Sequence, residues 1–308
     1  MRNRRVSFMV LAGLLAIGAG CTGVEAPYTI VASWRTASSP SDSLREPMGI
    51  AVGTDGFVYV ADARSSRVVK YTVEGHYVGA WGGSGREPGA LSRPVDVAVG
   101  DDGRVYVADF DLDRVVVFTA DGEFVTAWGS PGDAPGQLSS PSGIATGPGG
   151  ALYVSEFQNH RIQVFDKDGG MLRILGLEGH RDGQLHYPTD VAFDRSGYMY
   201  VADAYNYRVQ KWSPDGHPLS VWGSQGSADD QFEVPSGIAV DDRGTVYIAD
   251  SGNHRLVVRD KNGVVVTIWE LPTGAHPEIN SPTRVVVSKN RIYLADTANG
   301  RILVLSRS

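Results

Sequence analysis

Six prolines, Pro47, Pro94, Pro141, Pro188, Pro235 and Pro282, follow one another at intervals of 47 residues. A fixed period of this length means that one supersecondary unit is copied along the chain. Each copy must bury its apolar face against its neighbours. Every proline opens the same phrase. A short apolar stretch comes first (GIAV, DVAV, GIAT, DVAF, GIAV, RVVV), followed by a turn such as Asp55-Gly56 or Asp102-Gly103. Then come VYVAD, VYVAD, LYVSE, MYVAD, VYIAD and IYLAD, and five residues past each acid stands Arg67, Arg114, Arg161, Arg208, Arg255 or Arg301. A third apolar stretch leads to a second turn (Asp121-Gly122, Asp168-Gly169, Asp215-Gly216, Asn262-Gly263), and a fourth tends to end in Trp-Gly. Short alternating runs joined by Asp-Gly and Asn-Gly turns are hairpin-linked strands. Six four-stranded units of this length predict an all-β chain folded as a six-bladed β-propeller.

Ring closure is also written in the sequence. Counting 47 residues back from Trp81 reaches Trp34, in YTIVASW, a fourth strand without its first three. The last segment, RILVLSRS, is a third strand without its fourth. The N-terminal strand is therefore expected to pair with the C-terminal blade, which hides two sheet edges and closes the ring. This assigns residues 28–308 to the propeller.

The first twenty residues read differently. A basic start with Arg2, Arg4 and Arg5 precedes the apolar run FMVLAGLLAI, which is short for a bilayer span. Small residues and the only cysteine, Cys21, follow. This resembles the bacterial lipoprotein signal, with Gly18 where that pattern prefers Leu. The resemblance implies a signal peptide over 1–20, a lipidated Cys21, an anchor or linker over 21–27, and a place in the cell envelope on the extracytoplasmic side of a membrane. A single cysteine leaves no internal disulfide. Without the leader's three arginines the net charge falls from −7 to −10. That balance argues against a nucleic-acid partner, because binding phosphates needs a basic face.

The wording P-x-G-I-A-V, V-Y-V-A-D-x-x-N-x-R-V and W-G-x-x-G resembles the NHL-repeat family, over residues 28–308. The resemblance implies the six-bladed fold. It leaves function open, since the family includes lyases, sensor domains and RNA-binding modules.

Residues present in nearly every repeat are expected to serve the scaffold. Trp34, Trp81, Trp128, Trp222 and Trp269 would pack between neighbouring sheets, with Leu175 in the third repeat. Asp62, Asp109, Asp203, Asp250 and Asp296 would accept hydrogen bonds from the turn that follows. The repeated arginine would bridge carboxylates or loop carbonyls. Asn159, Asn206, Asn253 and Asn299 fall where a left-handed residue is expected.

Function is expected where the repeats disagree. Two residues past the prolines stand Gly49, Asp96, Gly143, Asp190, Gly237 and Arg284. Asp96, Asp190 and Arg284 would point into the channel, either pairing locally or binding a polar ligand or cation. Four residues past the strand-ending acids stand Ser66, Asp113, His160, Tyr207, His254 and Gly300. The phrases QNHRI and GNHRL make His160 and His254 candidate metal ligands, for zinc or calcium, or else parts of a structural phrase. By distant resemblance to the peptidylamidoglycolate lyases, zinc ligands sit in alternating blades, but blade one carries Ser66 where a third histidine is expected. A catalytic zinc usually takes three protein ligands and a water, so Asp113, Glu156 or His180 would have to complete the set. Blade three departs most, with Ser155, Glu156, Phe157 and Leu175; Glu156 is a candidate catalytic residue reaching into the mouth. Arg64, Phe110, Asp111, Phe157, Tyr205 and Tyr207 offer aromatics among charges on the same loop face, which suits a protein, peptide or glycan ligand. No G-x-S-x-G, H-E-x-x-H or G-x-x-x-x-G-K phrase occurs. The sequence thus favours an anchored binding propeller without catalysis. The alternative is a metal-dependent lyase or hydrolase of the amidoglycolate-lyase, streptogramin-lyase or lactonase kind.

Overall fold

A computed structural model describes residues 28–35, 43–85, 87–270 and 278–307. The leader, Cys21 and the stretch 21–27 lie outside the described residues. Strands run from Tyr28 to Arg307, and among the described residues the helical content is limited to single 3₁₀ turns. Among the described residues no helix is long and apolar enough to cross a membrane.

Six antiparallel sheets of four strands each make up the ring. In blade one the strands are Pro47–Val52, Phe57–Asp62, Arg67–Thr72 and Tyr77–Gly82, in simple up-and-down order. Blades two to five repeat this over 94–128, 141–175, 188–222 and 235–269. Blade six is closed from both chain ends. Tyr28–Trp34 pairs antiparallel with Arg301–Arg307, with Tyr28 opposite Arg307 and Trp34 opposite Ile302. The closure expected from the orphan fourth strand is therefore present.

Sheets pack face to face through the alternation of each strand. The V-Y-V phrase of the second strand is buried on both sides, and Tyr59, Tyr106, Tyr200, Tyr247 and Tyr293 are essentially inaccessible. Tryptophans seal the seams. Trp34 of blade six lies 5.6 Å from Tyr71 of blade one and 5.5 Å from Tyr293 of its own blade. Trp128 lies 4.5 Å from Phe165 of the next blade. Four of the indoles, Trp34, Trp81, Trp128 and Trp222, rest on the second-turn glycine of the following blade. At Gly169, where φ is +90°, a Cβ would fall 2.4 Å from the Trp128 ring. The Asp-Gly turn thus serves the seam as well as the hairpin.

One irregularity recurs. In every blade the first and second strands slip register between the proline and the residue two further on, as between Pro94 and Asp96. Such a bulge takes one residue out of the ladder and re-aims its side chain. Here it turns the residue after each proline toward the mouth of the channel.

Candidate functional site

The repeated acids are inaccessible, and their bonds run backward along the chain. Asp62 accepts from the N–H groups of Arg45 and Glu46, and Asp109 from those of Ser92 and Arg93. These donors belong to the link that enters the blade and come in addition to the expected donor from the turn that follows. That turn contributes its asparagine: Asn206 donates to Asp203 and to the Gly179 carbonyl, and Asn253 to Asp250 and the Gly226 carbonyl. The arginine completes the knot. Arg208 donates to Asp203 at 2.7 Å and to the carbonyls of His180, Arg181 and Gln184.

The left-handed residue is the one after the asparagine. Ser66, Asp113, His160, Tyr207 and His254 have φ between +49° and +57°, and Gly300 has +60°. From this position the side chain reaches the next inter-blade link. Asp113 Oδ1 accepts from the N–H of Ser140 at 2.6 Å. His160 Nδ1 accepts from Tyr187 N–H, and His254 Nδ1 from Ser281 N–H, each at 3.0 Å. Both histidines are therefore latches between neighbouring blades, with Nδ1 as the acceptor. Asp113 plays the same part with a carboxylate.

Glu156 also belongs to the scaffold. The expectation that it reaches into the mouth is overturned: its side chain is fully buried, bound by Ser139 N–H, Asn159, Arg161 and Gln163. Its extra methylene is accommodated inward by blade three. Among the described residues no three His, Cys, Asp or Glu converge where they could hold a metal ion. The zinc and calcium expectations find no matching donor set there.

Asp96, Asp190 and Arg284 do meet in the channel, where they join one another. Arg284 Nε donates to Asp96 at 2.8 Å, and its two terminal nitrogens engage Asp96 and Asp190. Asp96 also accepts from Ile144 N–H and Asp190 from Ile238 N–H, both at 2.7 Å. The intervening glycines make room: at Gly49 a Cβ would fall 2.4 Å from the Asp96 Cα. Burial pushes the Asp190 carboxyl well above its ordinary range, only partly opposed by the N–H groups of Ile238 and Val191. Burial pulls the Arg284 guanidinium down to about 9. Two carboxyl groups in contact hold the guanidinium in place. Asp96 and Asp190 are therefore not available to a ligand from the mouth.

Above this plug lies a cavity of about 290 Å³, lined by Met48, Arg93, Val95, Phe110, Ser142, Phe157, Thr189, Ser236, Thr283 and Arg284. Six of these are the residues after the prolines, a column that the sequence comparison passed over although its variation from repeat to repeat was visible. Ser142, Thr189, Ser236 and Thr283 line it with hydroxyls; Met48 and Val95 line it with hydrocarbon. Phe110 and Phe157 raise the wall over blades two and three, where other blades carry Ala63, Ala204, Ser251 and Thr297. Their rings are 6.0 Å apart. Phe157 continues outward to Tyr187 at 4.6 Å and Tyr205 at 5.8 Å, and Tyr187 to His186 at 4.7 Å. A shelf of rings thus leads from the mouth across blades three and four. Arg64 and Asp111 are exposed on the loop face, and neither they nor Tyr207 line the cavity.

Comparison with known proteins fits this architecture. The NHL repeat model matches residues 44–71, 91–118, 138–165 and 232–258. The chain is an NHL-repeat propeller. No curated protein matches it by sequence. Among solved structures, the NHL propeller superposes on virginiamycin B lyase from Staphylococcus aureus in its complex with quinupristin, with a TM-score of 0.63 and 15% identity over 91% of this chain and 99% of that one. It superposes on a gluconolactonase from Xanthomonas campestris with a TM-score of 0.66 and 15% identity, over 87% and 88%. A chain of a nidogen/laminin complex gives 0.58 and 21%, over 73% and 80%. At these identities the likeness is one of fold.

Two predictions test the assignment of the latch and the plug. Arg284→Met leaves two carboxylates buried without their partner and should destabilise the NHL propeller by about 3–5 kcal/mol, read from urea unfolding. A loss below about 1 kcal/mol would mean that the plug carries no weight. For His160, burial lowers the pKa, and the Glu178 carboxylate only partly opposes this. The unfolded state then binds more protons on acidification. The latch stabilises the fold above the unfolded histidine value of about 6.5, and that contribution is lost as pH falls through the lower folded value. His160→Asn, which keeps a left-handed residue and an acceptor as Asp113 does, should flatten the decline in stability between about pH 7 and 5. Equal slopes in variant and parent would contradict the latch.

Proposed function

We propose that the protein is a binding propeller of the bacterial cell envelope, held on the extracytoplasmic side by a lipid on Cys21. It takes one residue of a peptide, partner protein or glycan into the mouth of its channel, without catalysis. The observation that carries this reading is the contrast between the cavity and its surroundings. The cavity has an apolar wall, a hydroxyl wall and an aromatic approach, while the acids and histidines proposed for chemistry are engaged in scaffold bonds. A volume of about 290 Å³ lies at the lower end of small-ligand sites. It suits a single side chain or sugar unit, with the rest of the ligand laid along Phe157, Tyr187 and Tyr205. Those rings supply the large, rigid contact area on which recognition surfaces depend.

The metal-dependent lyase or hydrolase reading would need His160 and His254 to release their latches and to find a third ligand. The lyase and lactonase neighbours lend it a fold, which hosts many unrelated functions.

Binding is tested by screening the lipid-free protein on peptide and glycan arrays and repeating every positive with Phe157→Ala and Tyr207→Ala. Positives should weaken at least about tenfold with Phe157→Ala, the loss of one aromatic contact, and persist with Tyr207→Ala, which lies off the cavity. Positives indifferent to Phe157 would place binding elsewhere. For the anchor, Cys21→Ser should move the protein from the membrane fraction to the soluble fraction of the cells that make it. Retention of the variant in the membrane fraction would sink the lipid.

A further inference from the structure

Among the side chains that line the mouth are two arginines and no carboxylate, although the chain as a whole has 35 acids against 28 bases. The two arginines differ. Arg284 is the floor and is matched by Asp96 and Asp190. Arg93 stands at the rim with nothing comparable. Its backbone is fixed at both ends, the N–H donating to Asp109 and the carbonyl accepting from Phe110 N–H. Its guanidinium lies over the Phe110 ring, 5.1 Å from the centroid. The nearest carboxylate, on Glu46, is 4.0 Å away, and among the described residues no group accepts a hydrogen bond from the Arg93 side chain. The corresponding positions in other blades hold Glu46, Ser140, Tyr187, Val234 and Ser281. No shared scaffold role therefore accounts for an arginine here.

The hydroxyls add a second constraint. Ser142, Thr189, Ser236 and Thr283 donate to the carbonyls of Pro188, Pro235, Pro282 and Met48, at 2.8, 3.2, 3.1 and 3.0 Å. Each hydroxyl can spend its proton on that carbonyl and turn lone pairs to a ligand, while Ser236 and Thr283 also share a hydrogen bond with the Ser251 and Thr297 hydroxyls. This half of the mouth accepts hydrogen bonds, while the fork at the rim donates them. The remaining wall is hydrocarbon and phenyl.

We infer that the ligand of this mouth is a carboxylate on an apolar body of one residue's size, with an N–H or O–H group nearby, and that Arg93 binds the carboxylate. The inference rests on the mouth being the binding site. A planar guanidinium matches a carboxylate through two parallel hydrogen bonds, and the Phe110 ring beneath that of Arg93 limits where it can move. Phe110, Phe157, Met48 and Val95 take the body, and the hydroxyl lone pairs take the N–H or O–H. The free C-terminal residue of a peptide and a free aromatic acid share this chemistry.

The test uses four probes: N-acetylphenylalanine, its amide, 3-phenylpropionate and phenethylamine. Binding is followed by calorimetry and by the NMR shift of the Met48 methyl group, which reports from inside the cavity. N-acetylphenylalanine should bind at least about tenfold more tightly than its amide, the size of a charge-assisted hydrogen bond. Phenethylamine should bind weakest. Arg93→Gln should abolish the preference for acid over amide, and Arg93→Lys, which keeps the charge but not the fork, should fall between. If 3-phenylpropionate matches N-acetylphenylalanine, the carboxylate on Arg93 stands with a free acid as the source, and the N–H or O–H contact with the hydroxyl wall is overturned. If it is clearly weaker, the inference stands with a peptide terminus. Equal binding of acid and amide, both lost with Phe157→Ala, would overturn the carboxylate and leave the mouth as a binding site. A Met48 methyl indifferent to every probe would overturn the carboxylate, with the mouth then judged by the array screen alone.

Discussion

The ring depends on a carboxylate that ends the second strand of every blade. The sheets of this propeller are tied covalently only through the inter-blade links, which are irregular backbone whose N–H groups need partners. The buried acid gathers those groups, and the arginine five residues on ties the acid to link carbonyls. In five blades the acid is paired with its arginine, which makes a buried ion pair tolerable; in blade two Arg114 instead donates to the Ala90 carbonyl. The left-handed residue after the asparagine then reaches the following link. Every blade is thereby bonded to the chain entering it, and several are also bonded to the chain entering the next. The tryptophan seams add apolar burial between sheets already held in register.

This economy explains why histidine can occupy the latch without being a metal ligand. The position needs a residue that tolerates positive φ and an acceptor that reaches the link amide. Histidine meets the second need through Nδ1, and the backbone bonds around it hold the first. Asp113 meets both, while Ser66 instead donates to the Ser92 carbonyl. The diversity at this column, which looks like functional variation, follows from one geometric demand that several side chains can satisfy.

The architecture was legible because period is a one-dimensional property. Prolines 47 residues apart fix the blade, and YTIVASW set against RILVLSRS fixes the closure. The aromatic residues Phe110 and Phe157 stood out for the same reason, as departures from a small-residue column. What the sequence did not disclose was direction. Nothing in VDVAV or TDVAF says that Asp96 and Asp190 will find Arg284, which is 188 residues from Asp96, across the channel. Nothing in YVSE says that Glu156 turns inward. The left-handed residue was displaced by one because asparagine tolerates that conformation, while here it is recruited as a donor to the acid. The residue after each proline was overlooked because a regular strand would point it along a blade face. Only the bulge between proline and glycine or aspartate turns it to the mouth.

Symmetry breaking then gives the mouth its character. Six identical blades would make a polar ring around an open channel, and such a ring could prefer no particular ligand. Here the first strands alternate glycine with a charged residue, so that three long side chains can fill the axis. The plug converts a through-channel into a floor. Blades one and two replace hydroxyl with Met48 and Val95, and blades two and three add phenyl rings. The result is a cup with a donor rim, an acceptor wall drawn from blades three to six and an apolar wall drawn from blades one to three. Scaffold positions bear the load of folding, so these few variable columns can be changed without disturbing the carboxylate knots that hold the ring.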